Sequence, residues 1–268
     1  MLKHLIKYEW KAVRKVLIII NSFTVVTTII GMLLLRTLDG NIRGASRSVA
    51  ILLFSLYYIT IIGVSLAMTI YVGIRFYHNF YTDEGYLMHT LPVTKRQLVI
   101  SKLLVHSLCE WITQLLVMIS LGLLLFPLLV EILEIPGVTM SSLISEWMEL
   151  IHDASISLPV FLVVTLFSAV IGTISGTLAI YCAIVLGQTF HRHRIMGAIL
   201  CYIGIYCLIQ SVTSVLMMPQ IIYVQSADFN PMSYFTNTIT TISIASLFLG
   251  IVWYCIILYM MNKKLNLE

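Results

Sequence analysis

The side chains that could do chemistry fall in a few places. Between Arg75 and Leu98 the chain reads RFYHNFYTDEGYLMHTLPVTKRQL. His78, Asp83, Glu84 and His89 are its acid–base or metal candidates. His78 and Asp83 are five positions apart, as are Glu84 and His89, and neither spacing puts two ligands on one helical face as an i, i+4 pair does. The stretch therefore reads weakly as an enzyme centre. Glu110 follows His106 in an apolar run. An acid inside a membrane segment is a functional candidate by default, for substrate contact or proton relay. The plainer reading sets Glu110 near the headgroups, paired with His106 or a lysine. His191-Arg192-His193-Arg194 offers two imidazoles, but the alternating arginines repel a bound cation. It reads as a basic turn against lipid phosphates, and no metal site is expected. The cysteines Cys109, Cys182, Cys201, Cys207 and Cys255 are odd in number, lack C-x-x-C spacing and lie in apolar runs. They read as small buried hydrophobes.

The elements that position these groups follow from composition. The chain has 268 residues, 59% hydrophobic and 10% charged, against roughly 25% charged in a soluble domain. Such a chain has no polar coat, so its solvent is lipid. The first apolar run, Val16 to Leu35, is long enough to remain as a span and lacks a small-x-small exit, so no cleavable signal is expected. Further spans are expected over Val49–Ile74, over Val99–Phe126 with Pro127 as the stop, within Ala154–Phe190, over Ile195–Met217, and over Thr238–Met261. Ala154–Phe190 would be about 55 Å if wholly helical, too long for one straight crossing. Pro219–Asn237 reads as a polar loop.

The net charge of +4 gains meaning when mapped along the chain. Lys and Arg cluster in the N-terminal flank, in the Arg75–Lys102 region, in the 191–194 turn and at Lys263-Lys264, whereas the loops after the third and fifth spans carry acids and neither Lys nor Arg. Basic flanks stay in the cytoplasm, so six spans with both ends inside is the consistent topology. Arg36, Arg43 and Arg47 object, because this topology puts them outside. There they could meet headgroups or an acidic substrate; internal pairing with Glu131, Glu134, Glu146 or Glu149 is the preferred reading.

Several segments carry finer signals. In residues 1–15, Leu2, Leu5, Ile6, Trp10 and Val13 follow helical spacing opposite Lys3, Lys7, Lys11 and Arg14, which predicts an interfacial amphipathic helix anchored by Trp10. The acidic loop 131–153 repeats the device with Met140, Leu143, Trp147 and Leu150, predicting a short external helix. Ser168, Gly172 and Gly176 form a small-xxx-small stripe suited to close helix packing, within the subunit or at a dimer seam. In the 75–98 loop, Thr82 or Asp83 can cap a short helix, Leu91-Pro92 breaks the chain, and Thr94-x-x-Gln97 is a capping box that restarts a helix. A short helix lying across the mouth of two spans is a handle that another protein can push.

These residues carry a resemblance. Arg75, Phe76 and Tyr77, then Asp83, Glu84, Gly85, Tyr86 and Leu87, then Thr90, Leu91, Pro92 and Val93 with Lys95, Arg96 and Leu98, are similar to the permease subunits of bacterial type-two ABC exporters, most of all those of Gram-positive bacteria. The motif covers about 24 residues, while the topology covers the whole chain. The resemblance implies an all-α integral membrane protein, a single permease domain over 1–268, with six transmembrane helices, an N-terminal interfacial helix and a cytoplasmic coupling helix between spans two and three. It implies that Asp83, Glu84, Gly85, Tyr86 and Leu87 dock on a separate ATP-binding subunit and that a second permease subunit, identical or not, completes the assembly. ATP and Mg would sit on the partner, with no cofactor on this chain. No G-x-x-x-x-G-K-[ST] phosphate loop occurs, so the energy source must be a partner. Membrane lipids are expected partners and nucleic acid is not. The expected cargo is hydrophobic or amphipathic: a lipid, a drug or an antimicrobial peptide. The alternatives are a membrane-embedded enzyme and a scaffold or sensor subunit that recruits an ATPase without transporting.

Overall fold

A computed structural model describes residues 2–37, 45–82, 85, 93–132, 142, 145, 158–190, 193–224 and 231–263. The described regular structure is all α-helix: α1 (Leu2–Thr37), α2 (Ala45–Tyr81), α3 (Lys95–Ile132), α4 (Leu158–Gly187), α5 (Arg194–Val224) and α6 (Pro231–Lys263). All six contain a stretch long and apolar enough to cross a membrane. Their outward faces carry large apolar side chains, among them Ile18, Phe23, Ile59, Val163, Phe167, Leu200, Ile244 and Phe248, while Thr24, Thr113, His106, Lys102 and Thr177 are buried. In water this distribution would be upside down. In lipid it is the low-energy one, because hydrocarbon solvates the apolar faces and polar groups must find partners inside.

Several expected boundaries move. Residues 1–15 do not end before the first span: α1 runs unbroken from Leu2 to Thr37. α3 passes through Pro127 to Ile132, and α5 passes through Pro219 to Val224. The expected loop from Pro219 to Asn237 is thus shortened from both sides, with Pro231 opening α6. A proline forfeits one backbone hydrogen bond wherever it sits. Ending a helix inside hydrocarbon would strand several such groups with no water to take them. At the first helical position the missing N–H has no intrahelical acceptor anyway, which suits Pro231.

Two compact units divide the chain. One comprises residues 1–9, 72–108 and 148–268, the other residues 10–71 and 109–147. In the first, α4 packs against α5 and α6, and α5 against α6. The turn from α4 to α5 is tight because of two glycines. A Cβ on Gly187 would lie 2.5 Å from the Ala198 backbone, and one on Gly197 would lie 2.5 Å from the Phe190 ring. In the second unit, Tyr57, Ile61, Val117 and Leu124 form the apolar centre, flanked by Met32, Phe54 and Leu121.

Candidate functional site

The chemistry-bearing residues of the first unit converge on Glu9. Arg75 and Asn79 lie four apart on α2, and Lys102 and His106 lie four apart on α3, so each helix presents a pair of donors on one face. Glu9 accepts from both pairs. Its Oε1 takes Arg75 Nε at 3.2 Å and Asn79 Nδ2 at 3.4 Å, and its Oε2 takes Lys102 Nζ at 2.8 Å. His106 Nε2 stands 3.4 Å from Oε1, within charge-contact range but off the line of a hydrogen bond. On the other edge of the ring, His106 Nδ1 and Tyr181 Oη are 2.5 Å apart. The neutral tautomer with hydrogen on Nε2 lets Nδ1 accept from the tyrosine and turns Nε2–H toward the carboxylate, short of a hydrogen bond.

Aromatic packing fixes the donors. Phe76 stacks on Tyr181 at 3.8 Å and 13°, and Phe80 lies 4.7 Å from Phe76. Lys102 Nζ sits 5.8 Å from the Phe80 ring centroid, where the ring face adds a cation–π attraction. The side chains of Lys102 and Glu9 are 3% and 6% exposed, so theirs is a buried ion pair, whereas Arg75 keeps 28%. Also in this unit, Lys95 at the start of α3 donates to the Met261 carbonyl at 2.7 Å, a cation on the last turn of α6, where the helix dipole favours it.

Around the docking segment, α2 extends to Tyr81, and the Thr82 hydroxyl turns back to the His78 carbonyl at 2.6 Å. That bond closes the last turn of α2; Asp83, the other expected cap, lies outside the described residues. Gly85 is buried, and its N–H donates to the Thr82 carbonyl at 2.7 Å. A Cβ there would stand 2.6 Å from the Phe80 carbonyl oxygen, so the turn that leaves α2 requires glycine. Asp83, Glu84, Tyr86, Leu87 and His89 lie outside the described residues. The Thr94–Gln97 capping box forms in both directions, each bond at 3.4 Å, and α3 starts at Lys95.

Glu110 is buried in the second unit. Of the small-residue stripe, Ser168 is half-buried, while Gly172 and Gly176 are exposed with nothing within 4 Å of an added Cβ. Contact between α4 and α6 uses the adjacent Ser175, which is 3.4 Å from the position of a Cβ on Gly250. Arg43 and, of the acidic loop, residues 133–153 other than Ser142 and Ser145 lie outside the described residues. All five cysteines are unbridged. Among the described residues no three of His, Cys, Asp or Glu converge.

Sequence reasoning missed Glu9. The available signal was that Glu9 is the sole acid among the first fifteen residues and falls with Leu2, Leu5, Ile6 and Val13 on the buried side of the helix instead of with the lysines. Comparison with protein-family models, with curated proteins and with solved structures finds no match.

Proposed function

We propose that this chain is the transmembrane permease subunit of an ATP-binding-cassette exporter. It would move a hydrophobic or amphipathic substrate, such as a lipid, a drug or an antimicrobial peptide, out of a bacterial cell, with both of its termini in the cytoplasm. A separate ATPase subunit supplies the energy, and a second permease subunit completes the path. The observation that carries this reading is the Glu9 cluster. It fastens the start of α1 to the end of α2 and the start of α3, the two helices joined by residues 82–94. A push on that connection would therefore load three helices together. The capped start of α3 and the glycine-dependent exit from α2 support the same role, because a lever must leave and enter its helices at defined angles.

The test is affinity purification of the full chain from native membranes in mild detergent, with wild type beside a Glu84→Arg, Tyr86→Ala double variant. Wild type is expected to bring down an ATP-hydrolysing subunit, and the variant is expected to lose it while staying monodisperse. A folded wild-type chain that brings down no such subunit would overturn the reading.

A further inference from the structure

We propose that Arg75, with His78 beside it, binds the phosphodiester of an anionic membrane lipid. Glu9 is the one carboxylate of the described cluster, and it is shared by two permanent cations. Lys102 takes the short contact and is buried. Arg75 is the partly exposed member and commits only its Nε; its two Nη amino groups have no hydrogen-bond partner among the described residues. A guanidinium held by one nitrogen presents the remaining fork in a fixed direction, the geometry that phosphate oxygens accept as a bidentate pair. His78 lies one turn further along α2, on the same side and exposed. The Thr82 hydroxyl gives its proton to the His78 carbonyl, so His78 Nδ1–H donates to Thr82 Oγ1 at 3.2 Å; in the imidazolium form Nε2–H donates as well, to a second phosphate oxygen.

Depth identifies the source of the phosphate. Residues 49–74 carry no charge, and as helix they span about 39 Å against a hydrocarbon core of roughly 30 Å. Arg75 is the first charge beyond that run, at the level of the headgroups. The excess positive charge favours an acidic lipid over a zwitterionic one. Free phosphate shares the recognition chemistry and must be separated by experiment. The site does not depend on whether an ATPase docks.

The test is native mass spectrometry of the full-length protein released from nanodiscs of equal phosphatidylglycerol and phosphatidylcholine. Wild type is expected to retain phosphatidylglycerol preferentially. Arg75→Gln is expected to cut that retention about fivefold, and Arg75→Lys to cut it less. Lys3→Gln, which removes an exposed lysine, measures diffuse surface charge and is expected to leave retention near wild type. Retention in Arg75→Gln equal to wild type, or an equal loss in Lys3→Gln, overturns the proposal. If Arg75→Gln does not fold, His78→Gln serves: a smaller drop supports the site and no drop overturns it. A rise in thermal midpoint with millimolar inorganic phosphate that phosphatidylglycerol does not reproduce would assign the pocket to soluble phosphate and overturn the lipid.

Discussion

Each unit of the chain is tied together by buried polar groups, but the chemistry of the two ties differs. The first unit uses formal charge: one carboxylate against a guanidinium and an ammonium, with an imidazole alongside. The second uses neutral groups. Thr28 Oγ1 donates to the Thr24 carbonyl at 2.6 Å and is 2.6 Å from Ser120 Oγ, which is also bonded to the Tyr57 hydroxyl. Because each hydroxyl has one proton, the order is fixed: Tyr57 donates to Ser120, Ser120 to Thr28, and Thr28 to the backbone. By the same logic Thr113, donating to the Cys109 carbonyl at 3.0 Å, accepts from Asn21 Nδ2 at 3.2 Å. The difference follows from the surroundings each sequence provides. Residues 16–35 carry no charge and read as hydrocarbon-level helix, where hydroxyls and carboxamides join helices at a modest desolvation cost. Glu9, Arg75 and Lys102 come from the flanks of apolar runs, where ions are tolerable once paired.

That contrast can be broken by substitution. The largest effect is expected for Glu9→Ala, which strips two cations of their shared counter-charge. Loss of one partner of a buried pair costs about 3–5 kcal/mol, read as a fall in thermal midpoint in a fixed detergent. Lys102→Met removes one cation and leaves Glu9 with Arg75 and Asn79, so it is expected to cost less, about 1–3 kcal/mol. If Lys102→Met were worse than Glu9→Ala, the carboxylate would not be the keystone. Gly187→Ala drives a methyl into the Ala198 backbone and is expected to cost about 1–3 kcal/mol. Gly176→Ala, facing open space, is expected to stay within about 0.5 kcal/mol in the isolated subunit. A large loss there, accompanied by dissociation of an assembly, would mark a seam with a second copy. The neutral tie is expected to be the weaker one: Tyr57→Phe removes one donor at about 0.6 kcal/mol. A loss as large as that of Glu9→Ala would erase the distinction between the two ties.

Much of the architecture was legible because apolar length leaves little choice in lipid. Six runs predicted six helices, and of the 37-residue stretch Ala154–Phe190, too long to cross once, the described residues 158–190 form α4 and a turn. The Thr94–Gln97 box was readable because capping is local. The prolines misled: Pro127 and Pro219 are breakers in water, but α3 and α5 run through them. Thr82 turns its hydroxyl back onto the end of α2, a use that the sequence does not distinguish from starting a helix, because the same hydroxyl can serve either.

The sequence by itself determined the solvent, the helices and the clustering of basic residues, since all three depend on composition and on neighbours a few positions apart. The tertiary structure alone decided which acid matters. Glu9, Arg75 and Lys102 are far apart along the chain, and nothing periodic links them; their meeting depends on how three helices pack. It also decided that Gly172 and Gly176 face outward while Ser175 meets Gly250. Small residues permit close approach on any face they occupy, and the choice of face belongs to the packed partner.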